Sequence, residues 1–320
     1  MKADKTRLSM DKMLTEPYAD IEIRELMKSH VLDIERFPLG SYIYYTPRQL
    51  KAHYELEVKL AERLRNASKP ERRELYSTVY DELFRKITYH PQLIRKARPE
   101  ERERKVKRTA EILKKYLGPD SVFMEIGPGD CKLSFEVCKF VKRVYAIDVS
   151  KEVTKYTNIP ENFELIISDG SSIDVPEESI SLAYSNQLME HLHPEDAIDQ
   201  LKGIHRALAI GGRYYCVTPH RFGGPTDISR FFDEEAKGFH LKEYVLKEIY
   251  DLFLLAGFDD VCLPRKFLGN KFDFPIGLAM FGERLIGNFP YQLRRSIYLK
   301  LKDILSIRVI GTKSGKKKRM

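Results

Sequence analysis

The chain has 320 residues and a mass of 37.4 kDa; 42% hydrophobic and 11% aromatic residues are enough to fill a core and exclude wholesale disorder. The length suits about two domains, or one α/β domain with a substantial addition. A formal charge of +8, from 55 basic and 47 acidic residues, favours anionic partners such as nucleic acid, phosphorylated metabolites or acidic lipid, without choosing among them.

No apolar run approaches the roughly 18–20 residues that cross a bilayer. The charged amino terminus has no apolar h-region, so a cytoplasmic protein is expected. Cys131, Cys138, Cys216 and Cys262 form no CxxC pair and no dense framework, which argues against a disulfide scaffold or structural zinc.

Residues 1–118 read as an N-terminal helical region. Thr46-Pro47-Arg48-Gln49 offers a capping box with proline at the first helical position, followed by Leu50, Tyr54 and Leu60 on a broken apolar face. Ser68-Lys69-Pro70-Glu71 starts a second helix, with Leu75, Val79, Leu83 and Ile87 every four residues beside Tyr76, Tyr80 and Phe84. His90-Pro91 is expected to end it. A third helix is predicted from about Glu100 to Tyr116, before Gly118-Pro119.

After Pro119 short apolar runs alternate with helical stretches. The runs are Ser121–Ile126, Arg143–Asp148, Phe163–Ser168, Ile180–Ser185, Arg213–Thr218, Asp260–Leu263 and Ser306–Thr312. Runs without polar alternation suit strands covered on both faces. Between them, Ala197, Leu201, Ile204 and Leu208 form a stripe stopped by Gly211-Gly212, and Val245, Leu246, Ile249, Leu252 and Phe253 form another stopped by Gly257. This alternation predicts an α/β fold: a doubly wound, Rossmann-like seven-stranded sheet over 119–312, its last strand antiparallel. An insert at about 266–305 and a basic tail at 313–320 complete the chain.

The first run ends in Glu125-Ile126-Gly127-Pro128-Gly129-Asp130, and Asp148 closes the second run 19 residues after Gly129. Glycines there let the backbone approach a ligand, and the acid can accept bonds from both hydroxyls of a ribose. A dinucleotide fold wants a third glycine at position 132, where this chain has Lys132. Glu125 is unhelpful near a pyrophosphate and suits a cationic ligand instead.

These residues resemble the first motif of the class I S-adenosylmethionine-dependent methyltransferases, with Cys131 in place of a third glycine. The resemblance covers roughly residues 119–312 and implies S-adenosylmethionine as cofactor. Asp148 matches the family's ribose-binding acid, and Ser168-Asp169-Gly170-Ser171 the loop that contacts adenine. Tyr184-Ser185-Asn186-Gln187-Leu188-Met189-Glu190-His191-Leu192 matches the fourth-strand segment flanking the methionine moiety. The implied cofactor residues are Glu125, Gly127, Gly129, Asp148, Asp169, Gly170 and Asn186.

Methyl transfer needs an in-line acceptor, and a hydroxyl acceptor gains from a general base. His220, in the loop after the fifth strand, is the first candidate, with His191 and His240 behind it. His191-x-His193 with Glu190 and Glu195 lacks further ligands at clear spacing, so no metal is expected. The fourth strand has no Asn/Asp-Pro-Pro-Tyr turn and the fifth no following Pro-Cys, so the reading is O-methylation of a small-molecule, sugar or lipid-type acceptor. The alternatives are an RNA methyltransferase using Arg95–Arg108 and the tail lysines, or a non-catalytic module built on a nucleotide pocket. In the insert, Leu293, Ile297, Leu301 and Leu305 beside Arg294, Arg295, Lys300 and Lys302 suit either plain packing or contact with an anionic membrane.

Overall fold

A computed structural model describes residues 46–90, 99–149, 158–267 and 270–315. The sequence readings for 1–45, Arg95–Arg98 and Lys316–Arg319 lie outside the described residues.

Helix α1 (Pro47–Asn66) starts as its sequence prescribes: the Gln49 N–H donates to the Thr46 hydroxyl at 3.3 Å and the Thr46 N–H to the Gln49 side chain at 2.9 Å. The break in its apolar face is filled by His53 and Glu57, both buried between Leu50 and Leu60. Helix α2 (Lys69–Lys86) buries Arg72, Tyr76, Val79 and Leu83, and ends four residues before His90-Pro91. Helix α3 (Pro99–Leu113) runs into a 3-10 turn, Lys114–Tyr116.

The sheet follows: β1 (Val122–Ile126), α4 (Lys132–Cys138), β2 (Arg143–Asp148), β3 (Phe163–Ile167), β4 (Ile180–Asn186), α5 (Pro194–Ala207), β5 (Leu208–Thr218), α6 (Leu246–Ala256), β6 (Asp260–Phe267), β7 (Asn270–Phe274), α7 (Ile276–Gly287), α8 (Tyr291–Leu305) and β8 (Ile307–Thr312). Strand order is β3-β2-β1-β4-β5-β8-β6-β7. The pairs from β3 to β5 are parallel, and β8 runs antiparallel to both β5 and β6. The expected doubly wound sheet is therefore present, with eight strands rather than seven. The additional strand, β7, forms an antiparallel hairpin with β6 at the edge, at the start of the expected insert. Gly211-Gly212 does not stop a helix; α5 ends at Ala207, and the pair lies inside β5, where the register against β4 shifts.

Alternation along the strands feeds two cores. Met124, Ile126, Ile147, Ala183 and Cys216 pack with α1, α2, α5 and α6, so the N-terminal helices share the central core. Phe123, Val144, Leu182 and Tyr184 face the other way, toward Leu113 and Val137. Among the described residues, no helix is long and apolar enough to cross a membrane.

Arg72 fastens α2 to α5. Its guanidinium donates to Asp196 at 2.6 and 3.0 Å and to Glu195 at 2.7 Å, and the Tyr76 hydroxyl adds a third donor to Asp196 at 2.8 Å. Arg72 and Asp196 are almost fully buried, so removing the cation strands a carboxylate in the interior. Arg72→Met is expected to cost about 3–5 kcal/mol in urea denaturation; a loss below about 1 kcal/mol would show that the pair does not anchor α2.

Candidate active site

Strand β1 leaves the sheet through two glycines in the left-handed region, Gly127 at φ +68° and Gly129 at φ +62°. The Gly127 N–H donates to the Ile147 carbonyl at 2.9 Å, which keeps the turn in register with β2. Ile126 lies beside Ile147 on one side and Ser185 on the other, so the next residues, Gly127, Asp148 and Asn186, come abreast at the strand ends. The sheet order reverses at this point, with β2 and β3 to one side of β1 and β4 and β5 to the other. Open α/β sheets form a ligand crevice there. A Cβ on Gly129 would meet nothing within 4 Å, so the turn has open space beside it. The Gly129 N–H donates to Asp148 Oδ2 at 3.2 Å, which holds the carboxylate across the mouth of the turn.

Beneath the turn, Glu125 is buried and accepts a hydrogen bond from the Ser134 hydroxyl of α4 at 2.5 Å. Burial pushes its carboxyl up to about 8, against the pull of Ser134. Arg102 of α3 pairs with Asp130 at 2.6 Å and braces the loop from outside. One cation of the basic stretch is therefore engaged within the fold.

The Asp169 loop is held internally. Its Oδ1 accepts from the N–H groups of Ser171 and Ser172 at 2.9 and 2.8 Å, and its Oδ2 pairs with Arg73 at 3.1 Å. Gly170 has φ +93°, and a Cβ there would lie 2.7 Å from the Tyr76 ring, so α2 presses directly on this loop.

The three histidines differ sharply. His220 is buried, its Nδ1 accepts the Phe222 N–H at 3.0 Å, and its Nε2 therefore donates to Glu283 at 2.7 Å. Glu283 also accepts the Leu246 and Lys247 N–H groups, at 2.5 and 3.1 Å, capping α6 where Val245 has no side-chain acceptor. Both ring nitrogens of His220 are engaged, Nδ1 within the loop after β5 and Nε2 in joining that loop to α7. His193 and Glu195 are likewise engaged, as the cap of α5 and as a partner of Arg72.

His191 and His240 come together instead, their rings edge-on with centroids 4.8 Å apart. His191 Nδ1 lies 3.0 Å from both the Phe239 carbonyl and the Tyr80 hydroxyl. A carbonyl can only accept, so the Nδ1 proton points toward it. Burial and the neighbouring His240 push His191 down to about 3. His240 Nδ1 faces Glu243 at 2.8 Å; burial opposes its charge, but the Glu243 bond, together with Asp227 and Glu190, raises it to about 9. Glu190, fully buried, accepts from the Thr218 hydroxyl at 2.7 Å through Oε2, and burial lifts it to about 7.

One member of this cluster escaped the sequence reading. Tyr80 had the spacing of a core residue on α2, yet its hydroxyl reaches His191 and lies in the field of Glu57, Glu190 and Asp148, which adds to burial in pushing its pKa up. Glu190, weighed in the sequence beside His191-x-His193 and set aside for want of further ligands at clear spacing, lies in the 3-10 turn after β4 and is fully buried.

Residues 124–216, from β1 to β5, match the family described as "Methyltransferase domain". No curated protein matches the chain. Among solved structures, a methyltransferase in complex with the Haloferax volcanii Trm112 activator is 15% identical over 67% of this chain and 92% of its own, with a TM-score of 0.47. The YcgJ protein of Bacillus subtilis is 14% identical over 67% and 100%, at 0.44. Haemonchus contortus phosphoethanolamine N-methyltransferase 2 is 15% identical over 65% and 52%, at 0.41. Likeness this remote says nothing about a substrate.

Folded Glu125 keeps its proton up to about pH 8, whereas an unfolded carboxyl loses it near 4.5. Its contribution to stability is therefore whole below 4.5 and is lost as pH rises through 8. Wild type is expected to lose about 2 kcal/mol or more relative to Glu125→Gln between pH 5 and 8.5 in denaturant titrations. Parallel pH profiles would contradict the buried, protonated state.

Proposed function

We propose that the chain transfers the methyl group of S-adenosylmethionine to a hydroxyl of a small-molecule, sugar or lipid-type acceptor, a reading supported by the match of residues 124–216 to a methyltransferase domain. The observation that carries the reading is the alignment of Gly127, Asp148 and Asn186 at the reversal of strand order, with open space beside Gly129. The donor set fits the group: Asp148 would accept from the ribose hydroxyls, Gly129 would leave room for close backbone approach, and Asn186 would flank the methionine end. Asp169 and Gly170 border the adenine side. Glu125, buried and protonated beneath the turn, holds Ser134 of α4 there rather than supplying charge to the ligand. When bound, S-adenosylmethionine supplies a methyl group already activated on a sulfonium.

What the protein contributes is alignment, exclusion of water and a place for the acceptor's proton. Glu190, His191 and His240, next to the end of β4, are the groups we assign to the acceptor side. The Tyr80–His191 contact latches α2 over them and keeps solvent from the reacting atoms. His220, with both nitrogens engaged, positions the loop after β5.

Asp148→Ala is expected to weaken S-adenosylmethionine binding about tenfold or more by calorimetry, since hydrogen bonds to a charged acceptor are worth about 1.5–3 kcal/mol. Unchanged affinity would remove Asp148 from the site. With labelled cofactor, label is expected in small-molecule, glycan or lipid fractions of an acceptor pool; label confined to RNA or protein would reject the acceptor class.

One observation favours the lipid-type acceptor. Of 13 exposed large hydrophobic residues among the described ones, eight lie between Phe272 and Ile304, on β7, α7, α8 and the connections between them. The opposite side of these helices packs on the loop after β5, where the Tyr291 hydroxyl donates to the Gly224 carbonyl at 2.7 Å. Leu278, Phe281 and Leu285 beside Arg284, and Leu301 beside Lys300 and Lys302, suit the surface of an anionic bilayer. The chain is expected to float with vesicles containing acidic lipid and to stop doing so in Phe281→Ser/Leu285→Ser; equal flotation of the two proteins would exclude this face.

A further inference from the structure

Glu190, His191 and His240 each bring a ligand-type atom within 4.8 Å of the others. Two features bear on what this cluster can bind. Each histidine has Nδ1 directed at an acceptor, Phe239 carbonyl for His191 and the Glu243 carboxylate for His240. An acceptor held on one ring nitrogen is the usual way to fix the tautomer whose other nitrogen binds metal. Glu190 uses Oε2 for Thr218, while its Oε1 is fully buried and has no hydrogen-bond partner. A buried carboxylate oxygen left in that state is costly and marks a missing cation or donor.

The wider charge pattern agrees. Glu57, Glu190, Asp227 and Glu243 are all buried, and His240 feels the last three. Arg65 is the nearby guanidinium, but its donors go to the carbonyls of Lys237, Gly238 and His240. An ion bound here would take over the positive charge that His240 supplies to Glu190, Asp227 and Glu243. The other histidine cluster, His53, Glu57 and His90, lacks this signature. There Glu57 Oε2 contacts His53 at 2.8 Å and Oε1 accepts the Phe239 N–H at 3.0 Å.

We propose that Glu190, His191 and His240 bind one divalent transition-metal ion of the zinc class, leaving a coordination position open toward the acceptor side of the crevice. Two imidazoles and one carboxylate suit zinc or cobalt better than calcium or magnesium, and three protein ligands are the pattern of an open site. Atoms bonded to one ion at about 2.1 Å lie no more than about 4.2 Å apart, so small side-chain rotations close the cluster. The open position would take the acceptor's hydroxyl oxygen, a role that rests on the methyltransferase reading; metal binding itself does not.

The test uses the full chain stripped with chelator, titrated with zinc by calorimetry and with cobalt by visible absorption. About one equivalent is expected, with cobalt bands of four- or five-fold coordination. Glu190→Gln and His240→Asn are expected to weaken zinc at least tenfold, and His90→Asn to leave it unchanged. Glu190→Gln is isosteric, and its melting temperature without metal checks that it folds. Absence of uptake by wild type, equal uptake by wild type and Glu190→Gln, or loss only in His90→Asn would overturn the proposal. S-adenosylmethionine affinity of the stripped protein, measured alongside, separates the two readings: intact cofactor binding without metal uptake overturns the metal site alone.

Discussion

The site depends on one backbone event, the left-handed turn of Gly127 and Gly129 at the end of β1. A residue with a Cβ at Gly127 would press on Leu188 while adopting a φ that side chains resist. Because β1 is flanked by β2 and β4, this turn opens between two strand ends rather than against one. Asp148 and Asn186 then stand on either side of it with no loop needed to carry them there. The same turn leads into α4, whose Ser134 holds Glu125 below the mouth.

A second layer packs against the sheet beside the crevice. Helices α1 and α2 are not an appendage, since they share the central core with the sheet and reach its functional edge. Arg72 and Tyr76 fix α2 on Asp196, and Tyr80 carries the same helix face to His191. Helix α1 brings Glu57 to the Phe239 N–H and Arg65 to the carbonyls beside it, so the segment 237–240 is shaped from both sides. Polar residues that interrupt the apolar stripes of these helices, Glu57, Arg65 and Arg72, fasten them to the 237–240 segment and to α5.

The parts legible in the sequence are those whose environment is local. Arg143–Asp148 reads as a strand because burial on both faces leaves an unbroken apolar run, and it is found with those bounds. Gly127, Gly129, Asp148 and Asn186 follow at once, because a parallel sheet places strand ends together. Strand β7 was invisible because Asn270–Phe274 gains its form from pairing with β6, not from its own pattern. The pair Gly211-Gly212 imitated a helix stop while serving a register shift in a strand. His220 had the position of a base, but Glu283, 63 residues later, claims its free nitrogen. The partnership of Glu190, His191 and His240 likewise joins segments about 50 residues apart, and Tyr80 reaches His191 across 111. No local spacing records such contacts.

The central claim is that an adenosyl group occupies the turn after β1. A crystal structure of the chain grown with S-adenosylhomocysteine tests it most directly. The account predicts the ribose hydroxyls on Asp148, the backbone of Gly129 against the ligand, and the homocysteine end beside Asn186. A ligand bound elsewhere, or a turn closed by a rotated Asp148 with no ligand at saturating concentration, would contradict it.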